Sequence, residues 1–290
     1  MLPPAEDWSS RYWTGGRKRF IYQTQVFYAM LLTQTKEMAT EHKLILGDSL
    51  DKLKELPNNS VDVIITDPPF NIGKNYGYYR DNLSHNDYID WCKLWLKECV
   101  RILKPTGSLY LFNYPKNNAY LIPFLDEILK FRSWMTWHYP TNTGHSKKNY
   151  TRTQHSILFY TKTDNYIFNK AEVAQPYKNP TDKRIRALIK KGRNGTGPYD
   201  VFQFNIVKNV SKDKTEHPCQ IPKELIKIFI KASSNPRDLV LDPFAGSFST
   251  SVAAKELGRR SIGIEINPKF VDIGRKRLFK SISPLYSFTD

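Results

Sequence analysis

The sequence predicts an α/β fold, a mixed but parallel-rich sheet covered by helices on both faces. Three observations predict it. Short apolar runs such as Val61-Asp62-Val63-Ile64-Ile65-Thr66 have the density of strands buried on both faces. Segments with helical apolar spacing alternate with them, which is the rhythm of parallel strands joined by crossover helices. Acids stand at the ends of four of the runs, Asp48, Asp67, Asp242 and Glu265, at the strand edge where open α/β sheets bind ligands.

The elements follow in order from Lys43. Lys43–Leu46 reads as a strand ending at Gly47-Asp48, and Ser49–Leu56 as a helix stopped by Pro57. Val61–Thr66 is the next strand, and Pro68-Pro69 ends it because neither proline can donate to a ladder. After a loop at Asn71–Leu83, His85–Leu103 is a strong amphipathic helix, with Tyr88, Ile89, Cys92, Trp95, Leu96 and Cys99 at helical spacing. Lys104-Pro105-Thr106-Gly107 terminates it. Ser108–Phe112 is a strand, Tyr120–Leu129 a helix, and Ser133–His138 and His155–Thr161 two further strands. Regular structure resumes with a helix at Pro222–Ser233, a strand at Leu239–Leu241, a helix at Thr250–Leu257, a strand at Ser261–Ile264 and a helix at Pro268–Ser281.

Four regions result. Residues 1–40 form an N-terminal extension with Trp8, Trp13, a basic cluster at Arg17-Lys18-Arg19 and a helix near 22–38. Residues 41–140 and 217–290 form the two halves of the α/β domain. Residues 141–216 are a loop-rich insertion, with 15 Lys and Arg against 6 Asp and Glu. The whole chain of 290 residues carries a formal net charge of +16 and a pI near 9.6, which points to a polyanionic partner. Its 40% hydrophobic and 25% charged content is that of a globular protein. Cys92, Cys99 and Cys219 have neither disulfide nor metal spacing and suit a reducing compartment. Phe20–Leu32 is too short and too polar to cross a membrane, so a cytoplasmic protein is expected.

Two turns carry the chemistry. Asp67-Pro68-Pro69-Phe70 holds a carboxylate and an aromatic ring on a rigid turn, which suits gripping a planar group that bears an amine. The segment from Leu239 to Glu265 reads strand, small-residue turn, helix, strand, acid, the first half of a nucleotide-binding fold. Gly246 allows a ligand close to the backbone, and Glu265 is placed to accept from ribose hydroxyls. The turn lacks the phosphate-cradling Gly-x-x-x-x-Gly-Lys pattern, so a nucleoside without a triphosphate fits it better. A single acid at a strand end is commonly a helix cap; four such acids predict one shared ligand site.

On these residues the chain resembles the beta group of DNA amino-methyltransferases, the N6-adenine/N4-cytosine family of type II restriction-modification systems. The resemblance covers about residues 43–280. It rests on Gly47-Asp48-Ser49-Leu50, Thr66-Asp67-Pro68-Pro69-Phe70, His217-Pro218-Cys219-Gln220-Ile221-Pro222, Leu241-Asp242-Pro243-Phe244-Ala245-Gly246-Ser247 and Gly263-Ile264-Glu265, in that order. The catalytic turn precedes the cofactor turn, with the basic insertion between them. The resemblance implies a class I methyltransferase (Rossmann-like) sheet read in permuted order, with S-adenosylmethionine as cofactor. It implies catalytic Asp67, Pro68, Pro69 and Phe70. The cofactor set it implies is Asp48, His217, Pro218, Asp242, Phe244, Ala245, Gly246, Ser247, Phe248, Ser249, Glu265 and Asn267, with no metal.

The same resemblance makes residues 141–216 the target-recognition region for double-stranded DNA. Arg152, Arg184, Arg186 and Arg193 are then candidates for guanine edges, and Lys147 and Lys148 for phosphates. The target base is expected to flip out of the duplex. A cognate restriction endonuclease and a homodimer are the partners the resemblance suggests. Two motifs depart from the family pattern: Phe248 stands where glycine is usual, and Cys219 and Ile221 where threonine and lysine are usual. Asp67 favours adenine N6 over cytosine N4, which stays open. Two further alternatives are a cytosine-C5 mechanism through Cys219, which the Asp-Pro-Pro-Phe turn argues against, and a non-catalytic DNA-binding subunit, which the intact acid set argues against.

Overall fold

Residues 41–74, 82–140, 146–193, 195–207, 214–216 and 220–279 are described by a computed structural model. They lie in the unit Glu41–Lys280. The extension 1–40, with its expected helix, and His145, His217, Pro218 and Cys219 lie outside the described residues.

The strands are β1 (His42–Leu46), β2 (Val61–Thr66), β3 (Leu103–Asn113), β4 (Lys130–His138), β5 (Gln154–Thr161), β6 (Val201–Gln203), β7 (Leu239–Asp242) and β8 (Arg260–Glu265). The helices are α1 (Ser49–Lys54), α2 (His85–Ile102), α3 (Pro115–Ile128), α4 (Lys183–Lys190), α5 (Lys223–Ser233), α6 (Ser249–Glu256) and α7 (Pro268–Phe279), with a 3₁₀ turn at Lys170–Val173.

The sheet order is β1-β8-β7-β2-β3-β5-β4-β6. The first five strands run parallel, and β5 is antiparallel to both β3 and β4. This is the expected mixed sheet in permuted order. It also places β7 beside β2, strands far apart in the chain, at the point where the strand order reverses.

Alternation along the central strands divides two cores. Leu109 and Leu111 of β3 face Leu53, Trp95, Leu96, Leu121 and Leu125 from α1, α2 and α3. Tyr110 and Phe112 face Leu225, Phe229, Ala253 and Ala254 from α5 and α6. Tyr110 stacks between Phe159 and Phe229, with ring centroids 4.6 Å from each. Cys92 and Cys99 are fully buried on α2, and burial pushes both thiols up, Cys92 to about 12. They are core residues, as expected.

Several boundaries differ from the sequence reading. α3 begins at Pro115, five residues before the expected Tyr120, because a proline is suited to the first helical turn where its missing N–H is not needed. Leu103 is already extended and pairs with Val61, so Lys104–Gly107 bulges within β3 instead of lying before it. Gly107 is required there: a Cβ would sit 2.9 Å from the Asp62 carbonyl oxygen. The basic insertion is less loop-like than its composition suggests. It contributes β6, which pairs parallel with β4, and the helix α4. Neither has the length or the buried periodicity that reveals an element in sequence.

Asp62 ties the two halves of the chain together. Its carboxylate is 4% exposed, meets Lys104 Nζ at 2.7 Å and accepts from the Leu239 N–H at 2.9 Å. It thereby sets the entry of β7 against β2. Asp62→Ala strands the part-buried Leu239 N–H and is expected to cost about 1–3 kcal/mol. Urea unfolding of the two proteins measures the difference.

Candidate active site and cofactor cleft

Because β1, β8, β7, β2 and β3 are parallel, their carboxyl ends share one edge. The side chains there follow the sheet order: Asp48, Glu265, Asp242, Asp67, Asn113. A cleft of about 1030 Å³, partly open to solvent, runs along this edge. Of the expected set, Asp48, Asp67, Pro68, Pro69, Phe70, Asp242, Phe244, Ala245, Gly246, Ser247, Ser249 and Glu265 line it. The four strand-end acids therefore do converge on one site.

Each acid is held differently. Asp48 caps α1, accepting from the Leu50 N–H at 2.8 Å. Glu265 accepts from the Gly246 and Asn267 N–H groups, both at 2.8 Å. Asp242 accepts from the Phe244 N–H at 3.1 Å and the Thr250 hydroxyl at 2.7 Å. Among the described residues, the Asp67 carboxylate takes no hydrogen bond.

Burial raises the pKa of Asp67, Asp242 and Glu265 alike. Asp242 reaches about 7, with Glu265 adding to the effect. Asp67 goes well above the ordinary carboxylate range, with Asp242 adding and Lys74 opposing. In a desolvated site such acids favour a cationic ligand, whose charge restores their ionised form.

The Asp67-Pro68-Pro69-Phe70 turn is fixed from behind. Tyr88 Oη donates to the Pro69 carbonyl at 2.8 Å, and Asn117 Nδ2 to the Phe70 carbonyl at 3.0 Å. Phe70 is 6% exposed and packs edge-on against Tyr114 and at a tilt against His155, both at 5.6 Å. His155 stacks on Trp137 at 5.0 Å; burial holds its imidazole down at about 4, so the ring is neutral. Arg152 lies 3.7 Å above the Tyr114 ring. It therefore stands beside the catalytic turn, apart from the exposed Arg184, Arg186 and Arg193 and the exposed Lys147 and Lys148.

Two expected cofactor residues are placed elsewhere. Phe248 is fully buried and points away from the cleft, packing with Ala245, Val271 and Leu44. Its ring fills the space over Gly263 and Gly274, where a Cβ on either glycine would collide with it. Its backbone is left-handed, at φ 60° and ψ 33°, so it keeps the turn a glycine would make. Burying a phenylalanine is worth about 1.5–3 kcal/mol. That offsets the roughly 1–2 kcal/mol cost of this backbone region. Asn267 caps α7: its side-chain oxygen accepts from the Lys269 N–H at 3.0 Å.

Other cleft residues were named in the sequence only within motifs, as Ser49, Ile221 and Ile264 were, or not singled out there. Trp91, Ile226, Thr250, Ile266 and Phe270 also line the cleft. Trp91 was legible only as a position on the apolar face of α2, and Phe270 only as the third residue of the helix after Glu265. Arg277 of α7 braces the cofactor turn, donating to the Ser247 carbonyl at 2.5 Å and the Ser249 hydroxyl at 3.0 Å.

The chain is similar to known DNA methyltransferases. Residues 61–276 match the family model described as DNA methylase. The type II methyltransferase M.HpaI of Haemophilus parainfluenzae is 37% identical over 82% of this chain and 74% of its own length. The DNA adenine methyltransferase YhdJ of Escherichia coli is 38% identical over 81% of this chain and 82% of its own. Among solved structures, the cytosine-N4-specific PvuII DNA methyltransferase superposes with a TM-score of 0.65 at 22% identity, over 82% of this chain and 86% of that one. The M1.HpyAVI–SAM complex superposes with a TM-score of 0.61 at 23% identity, over 81% and 98%.

The acid set fits S-adenosylmethionine, which carries a sulfonium and an ammonium cation. In the free protein the Asp242 carboxyl is protonated below about pH 7. A bound cation favours its ionised form, so binding at pH 6 releases a proton and affinity climbs as pH rises through 7. Coupling to one such group gives about tenfold tighter binding at pH 8 than at pH 6. Calorimetric titration at both pH values, in buffers of different ionisation enthalpy, measures the gain and the proton released. With a permuted class I sheet, a desolvated acid cleft at its carboxyl edge and an Asp-Pro-Pro-Phe turn beside that cleft, the chain belongs to the DNA methylase family, as a beta-group, S-adenosylmethionine-dependent amino-methyltransferase.

Proposed function

We propose that the protein methylates the N6 amine of adenine at a specific site in double-stranded DNA. The observation that carries this reading is the Asp67 carboxylate. It stands without a hydrogen-bond donor among the described residues, on a turn that opens into the cleft lined by Asp242 and Glu265. A flipped adenine supplies the missing donor, its exocyclic amine.

The residues divide the work. Glu265 holds ribose hydroxyls through the lone pairs its two backbone bonds leave open. Asp48 takes the adenine amine of the cofactor. Asp242 stabilises the bound cation and orders the turn at Gly246. The cofactor supplies an electrophilic methyl carbon on sulfur. Phe70 stacks on the target base. Hydrogen bonds from the target amine to Asp67 and to the Pro68 carbonyl favour a tetrahedral nitrogen, which localises a lone pair otherwise delocalised into the ring. Holding that nitrogen in line with the methyl group supplies much of the acceleration.

Delivery of DNA falls to the basic insertion. Between Gln175 and Thr196, whose backbones pair at 3.0 and 2.8 Å, a 20-residue loop carries seven Lys and Arg against one Asp. No residue of its helix α4 is buried. Lys183, Arg186 and Lys190 recur on one helical stripe with Ala187 among them, a pattern suited to close approach to a phosphate backbone. Arg152, over Tyr114, serves the mouth of the base pocket instead. A restriction endonuclease of the same site specificity is the partner this activity calls for.

Labelled S-adenosylmethionine, unmethylated genomic DNA and nucleoside analysis test the reading. The expected product is N6-methyladenine, with Asp67→Ala lowering turnover at least 1,000-fold (about 4 kcal/mol) and leaving cofactor affinity within threefold. N4-methylcytosine as the product would reassign the target. Near-normal turnover of Asp67→Ala would remove the carboxylate from the mechanism.

A further inference from the structure

We infer that Tyr88, Asn113 and Asn117 are positioning residues that aim the catalytic turn, by occupying the Pro69 and Phe70 carbonyls so that the Asp67 carboxylate and the Pro68 carbonyl are the acceptors left for the target amine. This rests on the catalytic reading of Asp67-Pro68-Pro69-Phe70 and goes beyond it.

The turn cannot hold itself. Pro68 and Pro69 have no N–H, so two successive residues offer only carbonyl oxygens, and any polar restraint on them must come from donors elsewhere. Three elements bring those donors. Tyr88 is on α2, Asn113 ends β3, and Asn117 is in the first turns of α3; none is more than 6% exposed.

The proton directions are forced. The Pro69 carbonyl only accepts, so Tyr88 Oη donates its single proton there, at 2.8 Å. The Tyr88 oxygen then accepts from Asn113 Nδ2 at 2.9 Å. Asn113 Oδ1 accepts from the Tyr114 N–H at 2.8 Å and from Asn117 Nδ2 at 2.9 Å. Turning the Asn113 amide over would set its NH₂ against the Tyr114 N–H, donor against donor, so its orientation is fixed. The second proton of Asn117 Nδ2 reaches the Phe70 carbonyl at 3.0 Å. The chain of donors ends on the two carbonyls that lie on either side of the Phe70 Cα.

Two consequences follow. With a donor already on each carbonyl, Pro69 and Phe70 are the weaker competitors for the two protons of the target amine. The two peptides that join at Phe70 are each held at the oxygen, which fixes the Phe70 ring and the direction of Asp67 together. A misplacement of about 1 Å at such a turn costs on the order of 100-fold in rate.

The test compares Tyr88→Phe and Asn117→Ala with wild type and with Ile102→Val, a core change on α2 that does not touch the turn. Methyl transfer to unmethylated plasmid DNA is measured well below melting and normalised to titrated cofactor-binding sites. The expected result is a 10- to 100-fold fall in kcat for both turn variants, with KM for DNA and for S-adenosylmethionine within threefold, and wild-type kcat for Ile102→Val. Turnover within twofold of wild type in either folded turn variant overturns the inference. So does a loss confined to KM, or to the number of binding sites, because that is a purely structural role. If one variant does not fold, the other decides. The wild-type arm reports separately on the base methylated, and the ratio of variant to wild type does not depend on which base it is.

Discussion

The structure depends on the cost of holding several carboxylates out of water at one edge of a sheet. Parallel pairing of β1, β8, β7, β2 and β3 leaves no choice about where their ends lie, so Asp48, Glu265, Asp242 and Asp67 meet there. Each pH unit by which burial raises a carboxyl costs about 1.4 kcal/mol once that group is ionised. Backbone N–H groups and the Thr250 hydroxyl recover part of the cost for Glu265 and Asp242. Asp67 recovers none of it from a hydrogen bond among the described residues. The cleft is thus matched in charge to a cationic ligand, and its most weakly satisfied acid is Asp67, on the double-proline turn.

The permuted chain order makes this edge a junction. Asp67 and its turn come from the first half of the domain, and Asp242 and Glu265 from the second, with the whole insertion between them. Nothing local in sequence brings β2 beside β7. Asp62 does so in part, by taking the first N–H of β7 as its own carboxylate pairs with Lys104. The insertion is anchored to the same body, because β6 extends the sheet from β4 and Asn169 donates to the Lys231 and Ser234 carbonyls at the end of α5.

Much of this was legible in the sequence. The alternation of strands and helices, the four terminal acids and the double-proline turn are local patterns, and each sits where local reasoning places it. What escaped depends on direction and on distant partners. Phe248 follows a glycine turn and was expected at the cofactor, yet a left-handed backbone sends its ring into a space left by Gly263 and Gly274. Asn267 occupies a cofactor-like position but spends its side chain on a helix cap. Tyr88 reads as one more apolar position on α2, and Asn113 and Asn117 as polar residues near a turn. Only the fold brings the Tyr88 hydroxyl and the Asn117 amide onto a turn that has lost its own donors. The three residues of β6 and the eight of α4 are too short to announce themselves against a basic, weakly periodic background.

The central claim is that the cleft keeps a desolvated carboxyl at Asp242 for a cation to ionise, and carboxyl carbon NMR of protein labelled at aspartate tests it most directly. The account predicts that an Asp242 resonance, assigned by its loss in Asp242→Asn, titrates near 7 in the free protein. With saturating S-adenosylmethionine it should remain ionised at pH 6. An Asp242 carboxyl that titrates below 5 in the free protein, or that does not respond to the cofactor, would contradict it.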